Sequence, residues 1–281
     1  MRIDLHTHSI RSDGSDTPGE LVERAATAGL DVVALTDHDT VDGWSEAADA
    51  GDRLGVKVIF GIEFSTTNEG RGQHLLGYNV DPTHPAIAEI LARGATSRED
   101  RVSALFARLD DLELSVDRQY VTSLAGGIPS RKHVAAGLVK AGHVVSDDEA
   151  FARFLNEGGS AYIQRYRPTI EDAITAIRSA GGASVIAHPR DGKRGAGVSE
   201  ERFAALGAVG LDGIEVDHQQ HTTEVRGELR GIAANLGLAA TGSSDYHGTR
   251  KTDHDLGCNL TDVEVAQRLL GPSFDGHRRR A

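Results

Sequence analysis

The 281-residue chain has a single cysteine, Cys258, which excludes a disulfide within the chain and a metal site built from cysteines. Aromatic residues make up only 5% of it, so a large core must be built mainly from alanine, valine, leucine and isoleucine. No apolar run approaches the roughly 20 residues of a membrane span, and the N-terminus lacks the basic and apolar regions of a signal peptide. We therefore expect a cytoplasmic protein with no membrane partner.

Positive charge is also scarce in this sequence. Lysine and arginine number 30 against 42 aspartate and glutamate residues, which gives a net charge of −12 at pH 7. This balance opposes the binding of long duplex nucleic acid or of an anionic membrane. It does not exclude a small phosphorylated substrate, because bound metal ions can reverse the sign of the local charge.

Histidine and carboxylate residues, in contrast, recur at one kind of position. Most of the segments that carry them begin as a strand-like apolar run: DLHTHSIRSDGS, LTDHDT, GIEFS, GQHLLGY, IAHP and GSSDYHG. Imidazole and carboxylate are the ligands that divalent transition metals require. The candidate metal ligands are His6, His8, Asp13, His38, Glu63, His74, His188, Asp245 and His247.

The order of strand-like and helix-like segments indicates an α/β fold. Seven strand-like segments are RIDLHTH, DVVALTDH, VKVIFGIEFS, QHLLGYNV, ASVIAHP, GIEVDH and LAATGSSDYH. Helices separate many of them; the first has Thr17 as N-cap, Pro18 at its first position and Glu20 at its third. This alternation favours a parallel, barrel-like sheet, which we place at residues 1–85 and 168–270.

Between residues 86 and 167 the strand–helix rhythm is lost. Apolar residues from Val102 to Leu112 repeat at helical spacing, and further helices are expected after Ser130 and over Asp147–Leu155. We expect a helical insertion that acts as a lid over the barrel mouth; extra outer helices without a role at the site are the alternative. The tail, residues 271–281, is expected to be disordered.

Active sites of parallel barrels lie at the C-terminal ends of the strands, so the candidate ligands should converge there. His6 and His8 are spaced i, i+2, which places both on one face of a strand, and Asp245 and His247 repeat that spacing. Nine ligands are too many for one ion of four- to six-fold coordination. Three divalent ions fit best and two are an alternative; manganese is favoured, with iron or zinc also compatible.

The segments HTHSIRSDGS, LTDHDT, GIEFS, IAHP and SSDYHG resemble the ordered motifs of the PHP (polymerase and histidinol phosphatase) superfamily. The segment from Ile128 to Ile163 is similar to one branch, which contains nucleoside 3′,5′-bisphosphate phosphatases and 5′-to-3′ exoribonucleases of short RNA. The resemblance implies a distorted (β/α)7 barrel with a trinuclear metal site. It implies three ligand sets, with Glu63 bridging the first two: His6, His8 and Asp245; His74 and His188; and Asp13, His38 and His247.

Further residues are candidates for substrate contacts and catalysis. Arg131 and His133 open the predicted helix after Ser130, and a helix N-terminus with a guanidinium suits a phosphate. Arg190 follows the fifth strand and is placed to reach the same phosphate. His218 ends the sixth strand as a candidate proton donor or substrate contact, and Glu63 is expected to take part in catalysis as the bridging carboxylate.

These patterns predict a metal-dependent phosphoesterase in which a metal-bridging hydroxide attacks phosphorus. The expected substrate is a nucleoside 3′,5′-bisphosphate, a 5′-monophosphate or the 5′ end of a short RNA. Alternatives are a histidinol-phosphate-like or other small-molecule phosphatase, an amide or ester hydrolase, and a non-catalytic metal-stabilised module. A lysine-derived bridging ligand would mark the amide hydrolase, and Lys57 and Lys193 are not at strand ends. The sequence leaves the oligomeric state open.

Overall fold

The computed structural model describes residues 1–125, 128–164, 166–190, 197–271 and 274. The chain divides into two compact units: residues 1–90 with 167–281, called here the barrel unit, and residues 91–166, called the helical unit. The predicted tail, beyond residue 271, lies outside the described residues except for Phe274. None of the described helices has the length and apolar character needed to cross a membrane.

Seven strands of the described chain form one sheet, and each strand pairs with the next in sequence. They are β1 (Ile3–Thr7), β2 (Val32–Leu35), β3 (Lys57–Asn68), β4 (Arg71–Tyr78), β5 (Ala183–Ile186), β6 (Gly213–Asp217) and β7 (Ala239–Gly242). A parallel bridge between Thr7 and Tyr246 joins the two outer edges of this sheet. The sheet is therefore a nearly closed barrel, as the sequence predicted.

The expectation of a fully parallel sheet is wrong for β4, which runs antiparallel to both β3 and β5. Residues 69 and 70 form the whole connection from β3, with no helix between the strands. Glu69 and Gly70 have φ angles of 50° and 76°, the backbone of a tight hairpin turn. A parallel neighbour would need a crossover of a dozen residues or more, so this short turn dictates the antiparallel pairing.

Ten α-helices are present in the described residues. They are α1 (Pro18–Thr27), α2 (Trp44–Leu54), α3 (Pro85–Asp111), α4 (Arg118–Ser123), α5 (Arg131–Lys140), α6 (Asp147–Ala150), α7 (Ile170–Ser179), α8 (Glu200–Val209), α9 (Thr223–Leu236) and α10 (Val263–Leu270). A π-helical turn, Phe151–Leu155, extends α6. Helix α1 begins at the predicted capping box, in which the Thr17 hydroxyl accepts from the Glu20 N–H and the Glu20 carboxylate accepts from the Thr17 N–H.

The barrel interior is filled by small and branched side chains together with one tyrosine. Ile3, Leu5, Val32 and Val185 are buried there beside Tyr78. The Tyr78 hydroxyl donates to the Leu5 carbonyl at 2.9 Å, so its buried polar atom is paired. This apolar core holds the strands in register and thereby fixes where each strand ends.

The helical unit has its own apolar core. Leu105, Phe106 and Leu109 of α3 are buried against residues of α4 and α5, including Val121 and Leu138. Helix α3 begins at Pro85, well before the helix that the apolar spacing from Val102 predicted. The predicted helices after Ser130 and from Asp147 are both present.

Candidate metal centre

The rim of the barrel collects all nine predicted metal ligands. Those in or after β1, β2, β5 and β7 lie where these parallel strands end, as expected. His74 is near the start of β4 instead. Because β4 runs in the opposite direction, its beginning lies at the rim where the parallel strands finish, opposite the second half of β3. The strand direction that the sequence missed therefore explains the position of His74.

Glu63 lies at the centre of the group and is buried. Its Oε2 is 3.1 Å from His8 Nε2 and 3.0 Å from His38 Nδ1. Its Oε1 is 2.7 Å from His74 Nδ1 and 3.2 Å from His188 Nε2. The two carboxylate oxygens thus face two different sets of imidazoles, which is the geometry that a bridging carboxylate requires.

The first set surrounds the nitrogens of His6 and His8. Their Nε2 atoms are 3.0 Å apart, and each is 3.5 Å from Asp245 Oδ1. His6 Nε2 is also 3.3 Å from Glu63 Oε2. Two unprotonated imidazole nitrogens at this distance repel each other unless a proton or a metal ion lies between them. This donor set therefore fits a cation.

A further set lies around Asp13, in the loop after β1. Its Oδ1 is 3.1 Å from His247 Nε2, 3.7 Å from His38 Nε2 and 4.0 Å from His8 Nδ1. Ligand atoms of these four residues all lie within 4.8 Å of one another, as a metal site requires. The loop is fixed by Asp37, which accepts hydrogen bonds from the Ser9 backbone and from hydroxyls of Ser9 and Ser12.

The electrostatics of the centre reflect this crowding of opposite charges. Burial alone would raise the pKa of the Glu63 carboxyl, but neighbouring imidazoles, His38 foremost, hold it well below its usual range. Burial would lower the pKa of His6, but Glu63 and Glu215 raise it well above its usual range. The pKa of His247 falls to about 4, because burial and the neighbouring His8 disfavour its charged form. The carboxylates are thus held in the anionic, ligating form.

Glu215, in β6, is a functional residue that sequence reasoning missed. Its Oε1 is 2.9 Å from His6 Nδ1, and its Oε2 accepts a hydrogen bond of 2.7 Å from the His188 N–H. The Ser243 hydroxyl also donates to it. A carboxylate on Nδ1 fixes the imidazole tautomer and turns Nε2 toward a metal. The only sequence signal was an acidic residue within the apolar run GIEVD of a buried strand.

Two of the predicted ligands are held in unusual backbone conformations. His188 has φ of 29° and Asp245 has φ of 52°. Positive φ angles cost a residue other than glycine roughly 1–3 kcal/mol and concentrate at functional sites. Both side chains reach the rim from these conformations: His188 contacts Glu63, and Asp245 lies near His6 and His8.

His218 is buried beside Asp245. Its Nδ1 accepts a hydrogen bond of 3.2 Å from the Gln220 N–H, so a neutral ring carries its proton on Nε2. That Nε2 is 3.2 Å from Asp245 Oδ2, to which the Lys251 ammonium also donates. His254, to which the sequence assigned no role, has a ligand nitrogen within 4.8 Å of this pair. The outer oxygen of Asp245 is therefore already engaged by the chain itself.

The three residues predicted to contact the substrate, Arg131, His133 and Arg190, have hydrogen-bond partners within the protein. Arg190 bonds through its guanidinium to the Glu228 carboxylate and donates to the Val198 carbonyl at 3.4 Å. In the helical unit, Arg131 Nη1 donates to the Leu155 carbonyl at 2.8 Å. The Ser130 N–H donates to His133 Nδ1 at 3.0 Å, which caps α5. Their roles as substrate contacts stay predictions.

Comparison with known proteins agrees with this geometry. The PHP domain family matches residues 4–174. A 5′-3′ exoribonuclease of Haemophilus influenzae is 38% identical over 88% of this chain and 90% of its own length. A 3′,5′-nucleoside bisphosphate phosphatase of Chromobacterium violaceum is 34% identical over 96% of this chain and 99% of its own.

A solved structure from Bifidobacterium adolescentis, assigned to the metal-dependent phosphoesterases, is also similar. It superposes with a TM-score of 0.87 at 34% identity and covers 95% of this chain and 94% of its own. The chain therefore belongs to the PHP domain family. Within that family it is similar along nearly its whole length to hydrolases of phosphoester bonds, and it is an enzyme of that class.

Proposed function

We propose that this protein is a metal-dependent phosphoesterase that hydrolyses small phosphorylated nucleotides, with nucleoside 3′,5′-bisphosphates as the first substrate class. The observation that carries the proposal is the complete set of imidazole and carboxylate ligands around Glu63. The names of the two full-length relatives supply the substrate class, since one acts on nucleoside bisphosphates and the other on RNA.

The donor set supports three divalent ions, held as the family resemblance implies. His6, His8 and Asp245 Oδ1 form one set beside Glu63 Oε2, and His74 with His188 forms another beside Glu63 Oε1. The last set consists of Asp13, His38 and His247. Imidazole and carboxylate suit manganese, iron and zinc alike, and we propose manganese as the ion that supports activity. Such ions supply hydroxide near neutral pH and stabilise negative charge on a phosphoryl group.

The chain's own residues prepare this centre. Glu63 and Asp245 stay ionised against the effect of burial. Imidazoles, His38 foremost, lower the pKa of the Glu63 carboxyl, and Lys251 together with His6 lowers that of Asp245. His218 Nε2–H donates to Asp245 Oδ2, so we propose that His218 orients Asp245 in addition to its predicted role at the rim. Glu215 in turn holds the proton of His6 on Nδ1. His6 thereby presents the lone pair of Nε2 to the other ligands.

A second candidate activity is removal of nucleotides from the 5′ end of short RNA. It is favoured by the Haemophilus influenzae relative, which is an exoribonuclease. Both reactions need the same ligand set and the same attack on phosphorus, so the two activities can share one centre. The net charge of −12 opposes long duplex nucleic acid and favours short substrates in either case.

Product identification by mass spectrometry tests both activities. Manganese-loaded protein is incubated with adenosine 3′,5′-bisphosphate and with a 5′-phosphorylated trinucleotide. Asp245→Asn is the inactive variant, and Asp255→Asn, at an exposed site, is the matched control. We expect 3′ phosphate release to dominate, at a rate that Asp255→Asn preserves.

The outcomes separate the hypotheses clearly. Stepwise release of mononucleotides as the faster reaction would identify an exoribonuclease instead. Turnover of neither substrate above the level of Asp245→Asn would show that the substrate class is wrong. The histidinol-phosphate-like alternative would then be examined with phosphorylated amino alcohols.

A further inference from the structure

The helical unit contains a cavity of about 560 Å³ between α3 and the segment that follows residue 162. Its polar lining includes Arg93, Ser97, Asp100, Arg101 and Tyr166. All of these belong to the helical unit, whereas the metal ligands belong to the barrel unit. Its size is typical of pockets for small organic ligands.

Two arginines of this cavity lie beside tyrosine rings. Arg93 Cζ lies 3.8 Å from the centroid of the Tyr166 ring, and Arg101 Cζ lies 5.7 Å from that of Tyr162. The Tyr166 N–H donates to Ser97 Oγ at 2.7 Å, which fixes the backbone that carries the ring. One tyrosine and two arginines therefore line the cavity, and a second tyrosine, Tyr162, lies beside Arg101.

The Arg93–Tyr166 pair does not belong to the apolar core of the helical unit. That core is formed by other residues, among them Leu105, Phe106 and Val134. Arg93 is exposed and Tyr166 is partly exposed, so the pair presents flat surface to solvent.

The charge of the helical unit also differs from that of the rest of the chain. Residues 91–166 contain ten basic and ten acidic residues, so the whole net charge of −12 is carried by the remainder. An anionic ligand is repelled by the barrel unit as a whole but not by the helical unit. Two arginines and one carboxylate, that of Asp100, line the cavity, so basic residues outnumber acidic ones in its lining.

We propose that this cavity binds one nucleotide of single-stranded RNA through residues other than the metal ligands. Bases of single-stranded RNA stack on aromatic rings and on guanidinium planes, and their phosphates pair with arginine. The base would stack on the Arg93–Tyr166 pair, and Arg101 would bind the phosphate. The Asp100 carboxylate would accept a hydrogen bond from the ribose 2′-hydroxyl, which distinguishes RNA from DNA.

Binding is measured with the full-length protein treated with EDTA, so that hydrolysis does not interfere. Fluorescence anisotropy follows a 3′-labelled RNA pentanucleotide and its DNA counterpart. We expect Tyr166→Leu and Arg93→Gln to weaken RNA binding about 10-fold and Tyr166→Phe to bind within twofold of the wild type. Asp100→Ala should remove the preference for RNA over DNA.

Arg118→Gln is the matched control for charge. Arg118 lies in the same unit, is exposed and pairs with Asp110 outside the cavity. If Arg118→Gln weakens binding as much as Arg101→Gln, the interaction is general electrostatics and the proposal fails. It also fails if Arg93→Gln binds like the wild type. Arg93 is exposed, so this variant should fold normally. Because no metal is present, these results are independent of the hydrolysis assay for the proposed function.

Discussion

The buried carboxylate of Glu215 orients His6, and replacement of Glu215 by glutamine tests this role. Glutamine keeps the size of the side chain but loses the charge that holds His6 in one tautomer. Loss of such outer partners typically costs 10–100-fold in metal affinity. We expect a manganese titration to show a decrease of that size, with kcat largely recovered at saturating metal. Glu264→Gln, exposed on α10, is the control, and equal affinities in both variants would contradict the orienting role.

The candidate metal ligands could be predicted because imidazole and carboxylate are metal ligands by residue type, and the structure brings them together at one rim. Glu215 could not, because a carboxylate in a buried strand acquires its role only from His6 and the His188 backbone. His254 was missed for the same reason, since its position beside Asp245 depends on the fold.

Cys258 gives a prediction that involves no metal. Partial burial of its thiol and the negative charge of Asp4 raise its pKa to about 11. Because a raised pKa keeps the thiol protonated, the reactive thiolate is scarce at pH 8 and increases as pH rises toward 11. We expect alkylation by iodoacetamide at pH 8 to be on the order of 100-fold slower than for a cysteine peptide. Unfolding in urea should restore the rate of the peptide, and mass spectrometry measures alkylation in both states. A fast reaction in the native state would contradict the raised pKa of the thiol.

Elements of secondary structure were predictable where their signals are local. The capping box of α1 uses residues three positions apart, so sequence alone identified it. The direction of β4 depends instead on a two-residue turn between runs that both look like ordinary strands. The turn residues, Glu69 and Gly70, were a usable hairpin signal, but the expected alternation of strands and helices overrode it.

A pair of glycine substitutions tests the backbone of these elements. Gly70 has φ of 76° in the β3–β4 turn, and a Cβ there would meet no other atom within 4 Å. Gly70→Ala should therefore lower the free energy of unfolding by about 1 kcal/mol, because alanine is strained at this φ angle. Gly94 in α3 also has space for a Cβ, but its backbone is helical. Gly94→Ala should therefore raise the free energy of unfolding by roughly 0.5–1 kcal/mol. Urea unfolding measures both; effects of the same sign would contradict this account.

At the scale of the whole molecule, the ligand set connects distant parts of the chain. Its members extend from His6 to His247, and the sheet edges that carry them meet through one bridge, Thr7 to Tyr246. An unfolded chain cannot hold these residues together, so the free energy of metal binding adds to the free energy of unfolding. Metal binding and closure of the barrel should therefore be thermodynamically linked.

The single tryptophan makes this linkage measurable in the barrel unit. Trp44 Nε1 donates to the Gly61 carbonyl at 3.0 Å, and its ring stacks on Phe60. Its fluorescence therefore reports on the part of the barrel next to Glu63. Manganese at about 100 times its dissociation constant should add about 2.7 kcal/mol to the free energy of unfolding. At roughly 2–4 °C per kcal/mol, we expect the fluorescence-detected Tm to rise by about 5–10 °C.

Asp245→Asn provides the matched comparison, because it removes one ligand charge and keeps the side-chain shape. Its Tm should rise by a smaller amount when manganese is added, since Asp245 Oδ1 belongs to the His6–His8 set. Magnesium, which prefers oxygen ligands, should shift the wild-type Tm less than manganese at equal concentration. An equal rise in wild type and variant would mean that the stabilising ion binds away from this set. The barrel would then close without its ligands, and the linkage between metal binding and folding would be lost.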